Sequence, residues 1–263
     1  MALPDRSNIS AVGWTAVSVA RCRAVESARP DAWFNDPLAV HLVRNVDHSA
    51  PAARPGLEAW ISVRTRFLDE LTEQATDDGI RQVVIVAAGL DARAFRLPLP
   101  PDTTVFEVDR SDILDVKETL INQAGLAPGC RRQTVVADIL DPEWMSRLAD
   151  RGWEPGRSTL WILEGLLIYL DHCQRVRLLS QLAAASDHGR LGVTLSTETG
   201  PMRHPLWRPS VEDDPEVWMS SSGWAARTET MTEASVSFGR PLPATARAGR
   251  SWRLVGATAA GHR

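Results

Sequence analysis

RQVVIVAAGLDARAFRLPLPPDTTVFEVD, residues 81–109, is the stretch whose reading decides the fold. Val83 to Ala87 is an unbroken apolar run of three valines, one isoleucine and one alanine. That is the pattern of a strand buried on both faces, which a parallel sheet requires. A second short run ends at Asp109, so the stretch reads as strand, loop, strand. Gly89 stands just past the first strand, where a missing Cβ lets the backbone turn sharply and approach a ligand. Asp109 follows 20 residues later, the spacing at which nucleotide-binding α/β folds set a carboxylate on ribose hydroxyls.

A ribose-containing cofactor is therefore the first expectation. A dinucleotide must seat its pyrophosphate against bare backbone, hence G-x-G-x-x-G. Here the loop reads Ala87-Ala88-Gly89-Leu90-Asp91-Ala92-Arg93, with a single glycine, which disfavours NAD. S-adenosyl-L-methionine carries an adenosine but no phosphate, so it tolerates a bulkier loop and even Asp91 close by.

Outward from this stretch, strand and helix alternate. Strands are predicted at 81–87, 103–108, 131–137, 159–164 and 190–196, with helices near 111–124, 142–150 and 172–187 between them. This is an α/β chain with a doubly wound, mostly parallel seven-stranded sheet. All strand carboxyl ends of such a sheet lie on one edge, where ligands bind at the switch point. Gly89, Asp109, Asp138 and Glu164 stand at four of those ends, so three acids and a glycine are expected to converge on one crevice. Glu164 follows apolar Trp161-Ile162-Leu163 and precedes apolar Leu166-Leu167-Ile168. Burial there is costly for a carboxylate unless it binds something, and a cationic amino group suits it. Asp138 has a rival reading, because Asp141 and Pro142 follow at once and one acid must start the next helix.

Before the first strand, residues 1–80 read as N-terminal helices. Trp14 to Ser27 is a helix ended by Pro30, with Arg23 on the face of Ala16, Val19 and Ala20. An aromatic loop around Trp33 and Phe34 leads to a short helix started by Pro37. A helix from Leu57 to about Thr76 puts Leu57, Trp60, Phe67, Leu68 and Leu71 on one face. Arg64 shares that face, and a guanidinium on a core-facing stripe needs an anion, either a protein carboxylate or a ligand carboxylate.

Beyond the core at 81–197, residues 198–234 read as loops and one helix forming a small cap. From Ser235 two strands are expected, SVSFG and SWRLVGATA. The 263 residues, 44% of them hydrophobic, suffice for one α/β domain with a real core. A net charge of −4 and a pI near 5.9 argue against nucleic-acid or anionic-membrane partners. The first ten residues lack a secretory signal pattern, and no apolar run reaches the roughly 18 residues that span a bilayer, so a soluble cytoplasmic protein is expected. Cys22, Cys130 and Cys173 lack CxxC spacing and the histidines are scattered, which points to no metal. The ten tryptophans are read as core first and as pocket lining second.

The residues also carry a resemblance. RCRAVES with FNDPLA, SVRTRFLDE, AAGLDARAFRL, VFEVD, ADIL and EGLLIYL, in that order from about Thr15 to Leu170, resemble the leucine carboxyl methyltransferase family of class I S-adenosylmethionine-dependent methyltransferases. The likeness is particularly to its bacterial members, which include polyketide carboxyl O-methyltransferases. It implies that Arg23 and Arg64 hold the methionine carboxylate of the cofactor. Gly89 and Glu164 would surround its amino group, Asp109 the ribose, and Asp138 with Ile139 the adenine. Ala88, Asp91, Arg110 and Gly165 flank these positions and are counted with them as cofactor-binding. Tyr169 would face the transferred methyl or the acceptor. Ala87 and Ala88 depart from the family by replacing further glycines, and the chain after Thr197 matches weakly.

The function expected is O-methylation by S-adenosyl-L-methionine, with S-adenosyl-L-homocysteine as product. The acceptor expected is a carboxylate of a small natural product or peptide, ionised at neutral pH and needing no base. A phenol or hydroxyl acceptor would need a general base, for which His204 is the candidate. A core of this kind would also suit a nicotinamide-dependent oxidoreductase, against which the single-glycine loop speaks, or a cofactor-binding scaffold without turnover.

Overall fold

The computed structural model describes residues 11–45, 56–185, 187–196, 208, 214–246 and 252–259. The apolar run of the opening stretch forms β1 (Gln82–Val86), buried at every position. Beside it on one flank lie β2 (Thr104–Asp109) and β3 (Arg131–Val136), and on the other β4 (Thr159–Leu163) and β5 (Arg190–Ser196), all parallel. Two further strands, β6 (Trp224–Thr230) and β7 (Trp252–Ala259), complete the order β3-β2-β1-β4-β5-β7-β6, with β7 antiparallel to both neighbours. This is the doubly wound, mostly parallel seven-stranded sheet expected. The strand order reverses between β1 and β4, so a crevice opens above their carboxyl ends.

Helices cover both faces. Helix α3 (Leu57–Asp77) and the single turn α4 (Arg93–Arg96) pack Leu68, Ala75 and Ala94 against Val83, Ile85, Val105, Leu160 and Ile162. On the other face α6 (Trp144–Asp150) and α7 (His172–Ala185) enclose Trp144, Trp153 and Trp161. The rings of Trp153 and Trp161 meet at 5.4 Å between centroids, so these tryptophans are core, as expected. A third cluster joins α1 (Ala11–Ser27), α2 (Pro37–Asn45) and α5 (Ser111–Ala124) through Val17, Leu38, Leu42, Ile113 and Leu120. Asp36 fixes the start of α2 by accepting a hydrogen bond from the Ala39 amide, which leaves Pro37 free to open the helix.

Two expectations are corrected near the carboxyl end. The described part of the supposed cap, from Asp214, is not loops and one helix. It holds α8 (Pro215–Ser221) and the edge strand β6, and α9 begins at Met231. SVSFG is not a strand: Ser235 to Ser237 are the last turn of α9 (Met231–Ser237). Thr230 and Glu233 form a capping box at its start, so hydrogen bonds that end β6 begin a helix, and local pairing wins over the β-branched composition.

The loop after β1 is strained at one point. Ala87 sits at φ 56°, a left-handed conformation that costs a residue with a Cβ about 1 kcal/mol or more. Glycine would remove that cost at the expense of some unfolded-chain entropy. Ala87→Gly is therefore expected to stabilise the fold by roughly 0.5–1 kcal/mol in urea unfolding; a loss of stability would show that the alanine methyl contributes more packing than its backbone costs.

Candidate functional site

The carboxyl ends of β1 to β4 open into a cavity of about 610 Å³, roofed by α1 and α3. Small-molecule sites run from roughly 300 to 1,000 Å³, so a ligand of nucleoside size fits. All but one of the residues expected at the site meet in this cavity: Arg23, Arg64, Ala88, Gly89, Asp91, Asp109, Arg110, Asp138, Ile139, Glu164, Gly165 and Tyr169. His204 lies outside the described residues.

Asp109 is held by two backbone amides, one from the turn after β1 and one from the residue that follows it. The Gly89 amide donates to Asp109 Oδ2 at 2.7 Å and the Arg110 amide to Oδ1 at 2.8 Å. A carboxylate oxygen can accept more than one hydrogen bond, so both remain able to take a ligand hydroxyl. Gly89 lies at φ 50° with Ala16 of α1 close above it, a Cβ there falling 3.1 Å from the Ala16 methyl. The rival reading of Asp138 does not hold, because Asp141 accepts from the Glu143 amide and pairs with Arg147 at the start of α6. Asp138 instead takes the Leu140 amide and stays exposed at the cavity. Gly165, at φ 68°, donates its amide to Thr194 Oγ1 at 2.8 Å. A Cβ on it would approach Arg64 Nη1 to 3.0 Å, so a bare turn is what lets Arg64 lie there.

The anion required by Arg64 is Glu164. Arg64 Nε donates to Glu164 Oε1 at 2.9 Å, and Arg93 Nη1 reaches Oε2 at 2.8 Å. Arg23 donates from Nε to Asp36 Oδ2 and from Nη2 to the Leu90 carbonyl, each at 2.6 Å. Asp91, expected as a flanking cofactor contact, spends its oxygens on the Arg93 amide and guanidinium. Sequence reasoning missed Arg93, which is 1% exposed and also pairs with Asp69 at 2.9 Å. It missed Asp36 as well. The available signal was stoichiometric: arginines on core-facing positions each need an acid, and Asp36, Asp69 and Asp91 are the acids nearest in the same motifs.

Burial alone would raise the Glu164 carboxyl, but the guanidinium groups of Arg93, Arg64 and Arg23 hold it well below the usual carboxylate range. Asp109 goes the other way: burial raises it, against amide hydrogen bonds from Gly89 and Arg110 and the charge of Lys117. Burial pushes the Cys22 thiol up to about 11, so it stays protonated at neutral pH. Among the described residues no group of three or more His, Cys, Asp and Glu is placed to hold a metal ion, and no helix is long and apolar enough to cross a membrane.

The part of the wall built by Trp60, Ile168, Met231 and Trp252 is one apolar cluster, against which Tyr169 packs. Trp14 and Leu57 line the cavity too, so the tryptophans serve as pocket lining as well as core. Tyr169 donates its hydroxyl to Thr15 Oγ1 at 3.2 Å.

Residues 16–183 match the model of the leucine carboxyl methyltransferase family. The chain belongs to that family. It is 37% identical over 260 residues to a Streptomyces avermitilis protein named "Putative S-adenosyl-L-methionine-dependent methyltransferase", covering 90% of this chain and 92% of the relative. A Streptomyces coelicolor relative of the same description is 38% identical over 255 residues, covering 89% and 90%. Among solved structures, one described as a putative methyltransferase from Thermobifida fusca superposes with a TM-score of 0.58 at 18% identity, over 94% of each chain. The magnesium protoporphyrin IX methyltransferase of Synechocystis with bound S-adenosylhomocysteine gives 0.52 at 12% identity, over 81% of this chain and 89% of that one. These two show likeness of fold.

The methyltransferase uses S-adenosyl-L-methionine, and its cavity fits that cofactor. It offers an acid fixed by two amides at the end of β2, an acid and an arginine at the end of β4, and a bare turn above β1.

The depressed Glu164 makes a prediction about acid stability. A carboxylate that titrates lower folded than unfolded contributes stability that is fully present above the ordinary value of about 4.3 and lost as pH falls toward its folded value. Asp109, shifted upward, acts with the opposite sign, so the comparison that isolates Glu164 is with Glu164→Gln. Unfolding free energy of the native methyltransferase should fall from about pH 5 downward, more steeply than that of the variant. Equal slopes in urea titrations at stepped pH would mean that Glu164 titrates alike in the folded and unfolded states, so that its guanidinium partners do not depress it.

Proposed function

We propose that the methyltransferase transfers a methyl group to an oxygen, specifically a carboxylate oxygen, of a small natural product or peptide end. The observation that carries this reading is the division of the cavity. Charged Asp109, Arg110, Asp138 and Glu164 line it at the strand ends with Arg23 and Arg64 from the helices, while Trp60, Ile168, Met231 and Trp252 form one apolar cluster in the lining on which Tyr169 packs, with Trp14, Thr15 and Leu57 also in the lining. An acceptor lying on that cluster meets apolar surface and hydroxyls, and an acceptor that arrives as an anion needs no proton removed.

In this reading Arg64, with the charge of Arg23 behind it, holds the methionine carboxylate of the cofactor, and Glu164 with the Gly89 and Gly165 turns holds its amino group. Asp109 holds the ribose hydroxyls beside Arg110 and Ala88. Asp138 and Ile139 flank the adenine, and Asp91 braces the loop from beneath. When bound, S-adenosyl-L-methionine supplies a methyl on a sulfonium. Transfer of that methyl to an acceptor carboxylate oxygen would break the C–S bond, return its electron pair to sulfur and leave an ester and S-adenosyl-L-homocysteine. The protein's part is to align the acceptor oxygen behind the methyl carbon and keep water out. Tyr169, on the boundary between the charged and apolar parts, is the residue suited to orient that oxygen.

The test is incubation of purified protein with cofactor labelled in the methyl group and a panel of apolar carboxylic acids and phenols. Label is expected in base-labile esters of the acids; label in phenols alone would assign the hydroxyl acceptor instead. Asp109→Ala should weaken S-adenosylhomocysteine binding by about tenfold or more in calorimetry with little change in melting temperature. Unaltered affinity would remove Asp109 from the site.

A further inference from the structure

We infer that Arg93 is a positioning residue for cofactor binding: buried beneath the cavity, it holds the Glu164 carboxylate aimed at the cofactor's amino group. The inference rests on the assignment of Glu164 to that amino group.

Arg93 does not line the cavity, so its influence on a ligand has to pass through another side chain. It belongs to α4, directly after the cofactor loop, and is placed by that loop: Asp91 Oδ1 accepts its amide hydrogen at 2.7 Å and Asp91 Oδ2 meets its Nη1. Its Nε pairs with Asp69 on α3. With Asp91 and Asp69 fixing two sides of the guanidinium, Nη1 is directed at Glu164 Oε2, 2.8 Å away.

The other oxygen of Glu164 faces Arg64, which does line the cavity. Once Arg64 takes a ligand carboxylate, the grip on Glu164 from that side is shared. Arg93 has three protein acids as partners and no access to the ligand, so its grip is the one that persists. A single guanidinium nitrogen reaches Glu164, and its place is set by the rigid plane that Asp91 and Asp69 hold, which a lysine ammonium on a flexible stem would lack.

A purely structural role would have Arg93 only tie α4 to α3 and β4. The two roles separate with a pair of ligands that differ in the amino-acid end. S-adenosylhomocysteine has it; 5′-methylthioadenosine has the same nucleoside and thioether without it. Affinities of both are measured by calorimetry for the native protein, Arg93→Met and Arg93→Lys, together with melting temperatures. The native protein should prefer S-adenosylhomocysteine, and in Arg93→Met that preference should shrink by about tenfold or more while methylthioadenosine binding stays within about threefold. Arg93→Lys, which keeps the charge and loses the planar fork, should fall between the two.

An unchanged preference in Arg93→Met, or parallel loss of both ligands, would overturn the inference. If Arg93→Met does not fold, Arg93→Lys decides: a preference equal to the native one overturns the inference, and a selective drop upholds it. If the native protein itself shows no preference for the ligand with the amino-acid end, the assignment of Glu164 is what fails, a result distinct from the others.

Discussion

The site depends on a buried network of opposite charges that must balance. Arg23, Arg64, Arg93 and Arg96 interlock with Asp36, Asp69, Asp91 and Glu164, four cations against four acids. They come from α1, the turn before α2, α3, the loop after β1, α4 and the end of β4. Each ion here has been taken out of water at a cost of several kcal/mol, recovered only while its partners stay in place, and loss of one partner typically costs about 3–5 kcal/mol. The network therefore works as a register device. It sets how deep the N-terminal helices lie over the sheet and hence how wide the crevice between them is, a task that apolar contacts between α1, α2 and α5 alone would leave loosely specified.

A second, smaller cluster supports Asp109. Along β2 side chains alternate, so Val105, Glu107 and Asp109 share a face while Phe106 and Val108 turn to the tryptophan core. Glu107 is fully buried and is neutralised by Lys117 of α5 at 2.6 Å and Arg132 of β3 at 2.7 Å. Lys117 is the only lysine in a chain with 29 basic residues. Its charge also favours the ionised form of Asp109, partly offsetting the burial that raises that carboxyl.

What the sequence revealed and what it hid follow from the range of the interactions. The five parallel strands and the helices between them were legible because a buried parallel strand must be an unbroken apolar run, and Gly89, Asp109, Asp138 and Glu164 were legible because topology alone brings strand ends together. Pairings were not legible. Arg64 announces that it needs an anion, yet only the fold shows that the anion is Glu164, 100 residues away, and that Arg93 rather than a ligand sits at the centre. Strand β6 was hidden for a different reason: WAARTET is an edge strand in which only Trp224 is buried, so it lacks the apolar alternation that marks a half-buried strand. SVSFG misled by composition, although the Thr230 and Glu233 capping box three residues apart was present to be read.

The charge balance also bears on how the cavity divides its work. The amino-acid end of the cofactor is a zwitterion, so inserting it between Arg64 and Glu164 exchanges one ion pair for two with no change in the net charge of the network; a ligand bearing only the carboxylate or only the ammonium would leave the network unbalanced. That end is identical in S-adenosyl-L-methionine and in S-adenosyl-L-homocysteine, so the contacts proposed for it would bind donor and product alike. Uniform binding of this kind raises affinity without lowering the barrier to methyl transfer. Rate must then come from the part of the site where donor and product differ, at the sulfur and the methyl, which on the proposed arrangement is the boundary where Tyr169 and Thr15 meet the apolar wall. On the proposed arrangement the charged floor would anchor and the hydroxyl-edged apolar cluster would align, so substitutions in the first should act mainly on binding and substitutions in the second mainly on turnover.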